Sequence, residues 1–273
     1  MENSGLKFER GCVMRRVLCG VWISIFLVVA VAGNVVLGAV PVRAEEERPT
    51  TEVNVDILSQ YIWRGYALSK DSAVIQPSVA VGYRGFNLNI WGNLDTDDQN
   101  PVGPSNQTNW NETDLTLSYT HNIYKGLSGT VGMVYYSLDQ VDDLFEIFGG
   151  VSYELPWFTV GFTAYREVSH QPGWWLQFDL SRSFPIPWHG MSLDVGMTFG
   201  MWDIEDKAAE YSAWHSGLIY AGLNIPVGKY VTVTPKIGFA YPLSGEASDN
   251  IRAVSWDGKE NHVYGGIGIS ASF

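Results

Sequence analysis

The chain has 273 residues, 46% of them hydrophobic and 14% aromatic, and its 17 Lys and Arg against 29 Asp and Glu give a net charge of −12. A polyanion of this kind is a poor partner for nucleic acid, and none is expected. Its two cysteines, Cys12 and Cys19, both precede residue 44, which excludes disulfides and thiolate-based metal or catalytic centres from everything that follows.

Residues 1 to 44 read as a signal peptide. Lys7, Arg10, Arg15 and Arg16 precede an apolar stretch from Val17 to Val40, and Val42-Arg43-Ala44 supplies small residues for cleavage. The stretch is longer than a usual signal core, so an uncleaved anchor is the alternative, against which Gly33-Asn34 interrupts the run. Cleavage removes five basic residues, the four above and Arg43, and two acidic ones, Glu2 and Glu9. Residues 45 to 273 then carry 12 basic against 27 acidic side chains, a charge of −15. No later apolar run reaches the roughly 20 residues that a membrane-crossing helix needs.

From Val53 onward apolar residues alternate with others at period two, in segments of roughly ten residues bounded by turn signals. In chain order the segments are 52–64, 73–84, 86–95, 112–121, 127–137, 144–155, 158–168, 174–184, 190–202, 213–225, 229–241 and 261–273. In the tenth the phase is ambiguous, because Ile219 and Leu223 compete with Leu218 and Tyr220. The connections also alternate. Compact Gly- or Pro-marked turns such as Arg84-Gly85 and Pro226-Val227-Gly228 are interleaved with the longer polar segments 65–72, 95–111, 138–143, 169–173, 203–212 and 242–260. An all-β fold follows: a transmembrane antiparallel barrel of about twelve strands over residues 45–273, with short turns facing the periplasm and long loops facing out. Tyr61 and Trp63 are expected in an outer aromatic girdle, and Tyr83, Phe86, Tyr153, Phe158, Tyr230 and Phe273 in an inner one. Arg166 and Arg182 fall on the lipid phase near strand ends, where a long side chain can snorkel or a bulge can turn it. The mature N-terminus leaves no room for a plug domain, so any constriction must come from side chains or infolded loops.

The segment Ser59-Gln60-Tyr61-Ile62-Trp63-Arg64-Gly65 resembles the start of an uncharacterised Gram-negative outer-membrane barrel family catalogued as conserved hypothetical (Gcw_chp). Tyr61, Arg64, Gly65 and the terminal Phe273 match its pattern. The resemblance implies an outer-membrane location and brings no substrate or catalytic residue. Phe273, with Ala271, Ile269 and Ile267 behind it, also looks like the signal read by the barrel-assembly machinery.

On this phase the pore-lining positions are Asp56, Arg64, Asn89, Trp91, Glu112, Asp114, Glu146, Glu154, Tyr165, Glu167, Trp175, Asp179, Asp194 and Lys236. Carboxylates outnumber cations there, which suits a small passive channel with a cation-leaning lumen for small polar solutes. The competing reading is a polar network that stiffens a non-conducting barrel acting through its loops in adhesion or envelope integrity. A lipid hydrolase is the third: the pairs Ser169-His170 and His215-Ser216 are adjacent in sequence, so strand alternation sends their members to opposite faces. No catalytic residue, metal ligand or cofactor is assigned. Asp95-Thr96-Asp97-Asp98-Gln99-Asn100 begins like a calcium loop, but Asn100 replaces the turn glycine and Asn106 the bidentate Glu, which leaves a solvated acidic loop. The expected partners are outer-membrane lipids and lipopolysaccharide, with divalent cations as a bridge to acidic loop residues such as Asp139, Asp142, Asp143 and Asp206.

Overall fold

The computed structural model describes residues 48–101, 107–205 and 210–273; the segment 1–44 read as a signal peptide, Asn106 and Asp206 lie outside the described residues. In chain order the strands are β1 (Thr50–Leu58), β2 (Ile62–Trp63), β3 (Tyr66–Ala67), β4 (Val74–Tyr83), β5 (Phe86–Asp98), β6 (Gln107–Tyr124), β7 (Leu127–Leu138), β8 (Leu144–Glu154), β9 (Thr159–Glu167), β10 (Gly173–Pro185), β11 (Ser192–Ile204), β12 (Tyr211–Val227), β13 (Val231–Pro242) and β14 (His262–Ser272). A helix, α1 (Gly245–Val254), lies between the last two. All but β2 and β3 form a closed twelve-stranded antiparallel barrel. Each of the twelve overlaps one of the segments read from the alternation.

Closure is made by β1, which pairs with β4 through Val53↔Val79 and with β14 through Val53↔Ala271. The terminal Phe273 exchanges backbone hydrogen bonds with Thr51 and stacks on Tyr230, ring centroids 5.5 Å apart. No strand of the barrel is left with an unpaired edge, which is the condition for exposing strands to hydrocarbon. The apolar phase faces out: Val79, Ile90, Leu115, Val131, Ile147, Ile219, Ile237 and Ile269 are all exposed. A belt of that extent would be an aggregation surface in water and is the lipid face of a transmembrane barrel.

The short connections follow ordinary turn chemistry. Arg84 (φ 51°) and Gly85 (φ 84°) both take positive φ, as a two-residue hairpin turn of the primed type requires. A Cβ at Gly85 would also come to 2.5 Å from the Thr120 carbonyl oxygen. Tyr83, Phe86, Tyr153, Phe158, Tyr230 and Phe273 are exposed around this turn end.

Two departures from the simple alternation matter. First, β1 stops at Leu58 and not at Arg64. The chain turns inward as a β2–β3 hairpin, with Arg64 (φ 48°) and Gly65 (φ 95°) at its tip. Leu68 N–H donates to the Tyr61 carbonyl, and Tyr61 N–H donates to Ser69 Oγ, so the insert satisfies its own backbone. Tyr61 and Trp63 therefore do not belong to an outer girdle: Tyr61 is buried against Trp91, ring centroids 5.5 Å apart. The hairpin is itself β, so its alternation runs on from β1 without a break that sequence alone reveals. Second, a bulge at His215 shifts the β11–β12 register between Gly200↔Ser216 and Met201↔Trp214. Trp214 faces out before it and Ile219 after it, so the outward parity changes at the bulge, while the competing residues 218, 219, 220 and 223 all lie beyond it.

Candidate functional site

The lumen has two unlike halves. At the loop end it is filled by the segment 59–73, which carries the β2–β3 hairpin, and by α1. At its tip, Arg64 Nη1 and Nη2 donate to Glu146 Oε1 and Oε2 at 2.8 and 2.7 Å, and both side chains are buried, 9% and 3% exposed. Tyr136 Oη donates to the same carboxylate at 2.8 Å. The guanidinium lies 4.7 Å from the centroid of Trp63, 5.0 Å from Trp175, 5.3 Å from Tyr165 and 5.4 Å from Trp202. A planar guanidinium is the cation suited to this place, because it takes a carboxylate in two parallel bonds while its faces accept aromatic rings. Ser216 Oγ donates to the Arg64 carbonyl at 2.9 Å, which ties the tip to β12 as well as β8.

The other edge of the hairpin is held by the α1 segment. Ala67 N–H donates to Ser255 Oγ (3.1 Å), Trp256 N–H to the Ala67 carbonyl (2.9 Å), Gln60 Nε2 to Asp257 Oδ2 (3.0 Å) and Tyr66 Oη to Asn250 Oδ1 (2.5 Å). The helix begins where Ser244 accepts from Ala247 N–H, with Glu246 in its first turn and Arg252 in its last, each favourable to the helix dipole. It buries Ala247 and Ile251. Ile251 joins Tyr66, Trp175, Trp202 and Tyr211 in an apolar cluster inside the barrel, and Leu58, Tyr61 and Val74 form a second. Gly200 makes room for the first: a Cβ there would collide with the Trp175 indole.

His215 and Ser216, expected on opposite faces, both turn inward because of the bulge and both are buried. His215 Nδ1 is 2.7 Å from Tyr211 Oη. His262 stands between Ser255 Oγ (3.5 Å) and Asp257 Oδ2 (3.4 Å). Both distances are long for the bonds of a working triad, and Ser255 Oγ is already engaged by Ala67 N–H.

The turn-end half is polar and roomier. Beneath the hairpin a cavity of about 300 Å³ is lined by Trp63, Arg64, Tyr165, Gln177, Thr198 and Tyr264 among others. A polar groove of about 270 Å³ shares Tyr165 with it and continues past Asp179 and Ser181 to Ser152 and Thr159 near the turns. Asp179 accepts from Thr198 Oγ1 at 2.8 Å and from Gln177 Nε2 at 3.0 Å; Asp194 accepts from Asn224 Nδ2 at 2.6 Å. Neither has a cationic partner among the described residues. Asp56 does, with Lys236 Nζ at 2.6 Å. Glu154 is exposed at the turn end, and Asn89 is opposite Ala80 and Thr116 in mid-wall.

Several residues expected to line an open pore are instead placed in or around the plug. Trp175 is 3% exposed, within the apolar cluster. Glu146 belongs to the Arg64 pair. Glu167 is buried and accepts the N–H groups of Ser169, His170 and Gln171 at 2.8, 3.2 and 2.8 Å, so its carboxylate caps the turn after β9. Glu112 is buried opposite Asn93, with Asp114 two residues further along β6 on the same face, opposite Trp91. Arg166 and Arg182 are at the strand ends as expected: Arg166 pairs with Glu205 at 2.8 Å, and Arg182 donates to the Pro156 and Trp157 carbonyls. Among the described residues no group of three or more His, Cys, Asp or Glu side chains is placed to hold a metal ion.

No family model matches the chain and no curated protein matches it. Solved structures with a similar fold include the NanC porin, at 10% identity over 82% of this chain and 98% of that one, TM-score 0.49. Another is the COG4313 outer membrane channel from Pseudomonas putida F1, at 12% identity over 88% and 100%, TM-score 0.46. A third is outer membrane phospholipase A from Escherichia coli, at 13% identity over 82% and 93%, TM-score 0.41. Channels and an enzyme stand side by side at these identities, and the likeness is one of barrel architecture alone.

Proposed function

We propose that the chain is a Gram-negative outer-membrane channel for small polar solutes, cation-leaning in its lumen and held closed in this conformation by its own 59–73 hairpin. The observation that carries the reading is the Arg64–Glu146 pair. A plug that only had to fill space would gain more from apolar contacts, whereas a buried ion pair adds little net stability and serves best to fix a register or to switch. Asp179 and Asp194, without cationic partners among the described residues, supply the cation preference on the far side of the closure. In this reading the long loops face the lipopolysaccharide, with divalent cations between phosphates and acidic side chains. Phe273 is the residue offered to the barrel-assembly machinery, and the Tyr61, Arg64 and Gly65 pattern shared with the Gcw_chp family marks the closure.

The test is conductance in a planar bilayer. The wild-type barrel is expected to open rarely, and a variant with residues 60–68 replaced by a flexible Gly-Ser linker to show frequent cation-selective steps. A second reading, a non-conducting barrel that works through its loops, is favoured by the apolar clusters around Tyr66 and Leu58 inside the lumen. Repeated silence from the correctly folded linker variant would establish that second reading and remove the first.

A further inference from the structure

The acidic run after Trp91 is not the solvated loop that its composition suggests. Asp95 and Asp98 are both wholly buried, at 0% exposure, where β5 reaches the loop end opposite the start of β4. The β5–β6 pairing is irregular between them, so 96 and 97 bulge out of the ladder. Asp98 is provided for: Oδ1 accepts from Asn100 N–H at 2.8 Å and Oδ2 from Asn109 Nδ2 at 2.7 Å. Asp95 is not. Its Oδ1 accepts from Asp97 N–H at 3.0 Å, but Oδ2 is buried without a hydrogen bond of standard geometry. Facing it from the hairpin's return limb is Ser72, 92% buried, whose hydroxyl acts on the Asp95 carboxyl but makes no hydrogen bond of standard geometry with it or with any other group. No Lys, Arg or His pairs with Asp95 or Asp98 among the described residues.

Two carboxylates taken out of water without a cation are costly, and buried charges in proteins are ordinarily paired or bound to metal. The buried side-chain atoms left without a standard hydrogen bond here, Asp95 Oδ2 and Ser72 Oγ, are both oxygens. Asn109 adds a neutral one, since its Nδ2 is spent on Asp98 and Asp139 and its Oδ1 is left as an acceptor. An irregular, oxygen-only donor set with two carboxylates suits calcium better than magnesium, which demands near-octahedral geometry, and offers nothing to softer metals.

We propose that Asp95, Asp98 and Ser72 form a calcium-class divalent-cation site that pins the return limb of the hairpin to β5. The site stands whether or not the lumen conducts. It joins the insert to the wall near the start of β4, so that the hairpin is anchored at its tip by an ion pair and near its root by a bound cation.

The test uses the full chain folded in detergent micelles free of lipopolysaccharide, unfolded thermally with EDTA or with about 5 mM calcium chloride, a concentration above the roughly 10⁻⁴–10⁻³ M constants of extracellular calcium modules. Calcium should raise the wild-type midpoint by about 2–9 °C. Asp95→Asn should abolish that rise and, in EDTA, unfold at a higher temperature than the wild type, because the uncompensated charge is gone. Ser72→Ala should retain a weakened response, and Asp142→Asn, on the exposed 138–143 loop, should respond like the wild type. Equilibrium dialysis with radioactive calcium should count one site fewer in Asp95→Asn. Equal wild-type midpoints in calcium and EDTA, or a calcium response that survives Asp95→Asn, would overturn the site; the first outcome would mean that Asp95 is carried as a neutral acid.

Discussion

The loop-end and turn-end halves of this lumen are walled by the same strands, yet one is an apolar core and the other a polar vestibule. Along β10 the inward positions run from Trp175, sealed under the hairpin, through Gln177 to Asp179, which faces the groove. Along β11 they run from Trp202 through Thr198 to Asp194. Both strands switch from indole to carboxylate toward the turn end, by Asp179 on β10 and further down, at Asp194, on β11. The barrel wall has therefore been tailored to a closure that belongs to neither strand, and the difference between the halves is set by the inserted segment and not by the β-alternation.

Breaking the loop-end half at the buried Arg64–Glu146 pair should have the largest effect. Removing one partner of a buried pair strands the other, so Arg64→Met is expected to cost about 3–5 kcal/mol in chemical unfolding and to raise the frequency of conducting steps. The double variant Arg64→Met, Glu146→Leu should recover most of that stability, because apolar replacements of a buried pair are neutral or better, and should stay closed. If the double variant is as unstable as the single one, the pair is not what holds the hairpin.

The turn-end half is probed by charge rather than by packing. In the barrel with residues 60–68 replaced, Asp179→Asn together with Asp194→Asn should move the reversal potential under a salt gradient toward zero, with stability changed by less than about 1 kcal/mol because the amides keep their neighbours. Asp97→Asn, at the outer rim, should matter less, since bulk ions screen it over a Debye length of about 10 Å at 0.1 M salt. Equal effects from rim and lumen substitutions would show that the groove is not the selective region.

The smallest effect concerns the outer support of the helix. The Ser248 hydroxyl, and then the Arg252 guanidinium, hold the Glu260 carboxyl below the ordinary glutamate range. A carboxyl lowered in the folded state contributes stability that is present above its unfolded pKa and lost as pH falls through the folded one. Amide exchange across α1 should therefore quicken only below about pH 4, modestly because the group is exposed, and Glu260→Gln should remove that step.

What the sequence made legible was whatever repeats. Twelve segments of period-two alternation and the parity of turns and loops specify the barrel, its closure and its lipid face. The tenth segment was left without a phase because the bulge at His215 changes which parity faces out, from Trp214 before it to Ile219 after it. What it hid was the hairpin, because Tyr61 and Trp63 keep step with β1 while facing the interior. The turn at Arg64-Gly65 was its only local mark, and a Gly at a strand end usually announces a loop that stays outside. Helix α1 was written in Ser244, Glu246 and the absence of β-branched residues from 245 to 250, but ten residues within a long polar loop give too few turns to stand out. The pore-lining assignment suffered for the same reason: alternation reports which face a side chain is on, and says nothing of what else occupies that face.

The hairpin joins neighbouring strands, but its partners are far away along the chain. Arg64 is 82 residues from Glu146, 152 from the Ser216 that holds its carbonyl, and Gln60 is 197 from Asp257. Contacts of such high order form late, since β8, β12 and the α1 segment must all be in place before the tip has anywhere to dock. Weakening the closure should then leave the rate of barrel assembly nearly unchanged and appear in the rate of escape, which is where interactions absent from a folding transition state express themselves. A barrel with this insert can be tuned for how long it stays shut without being made harder to build.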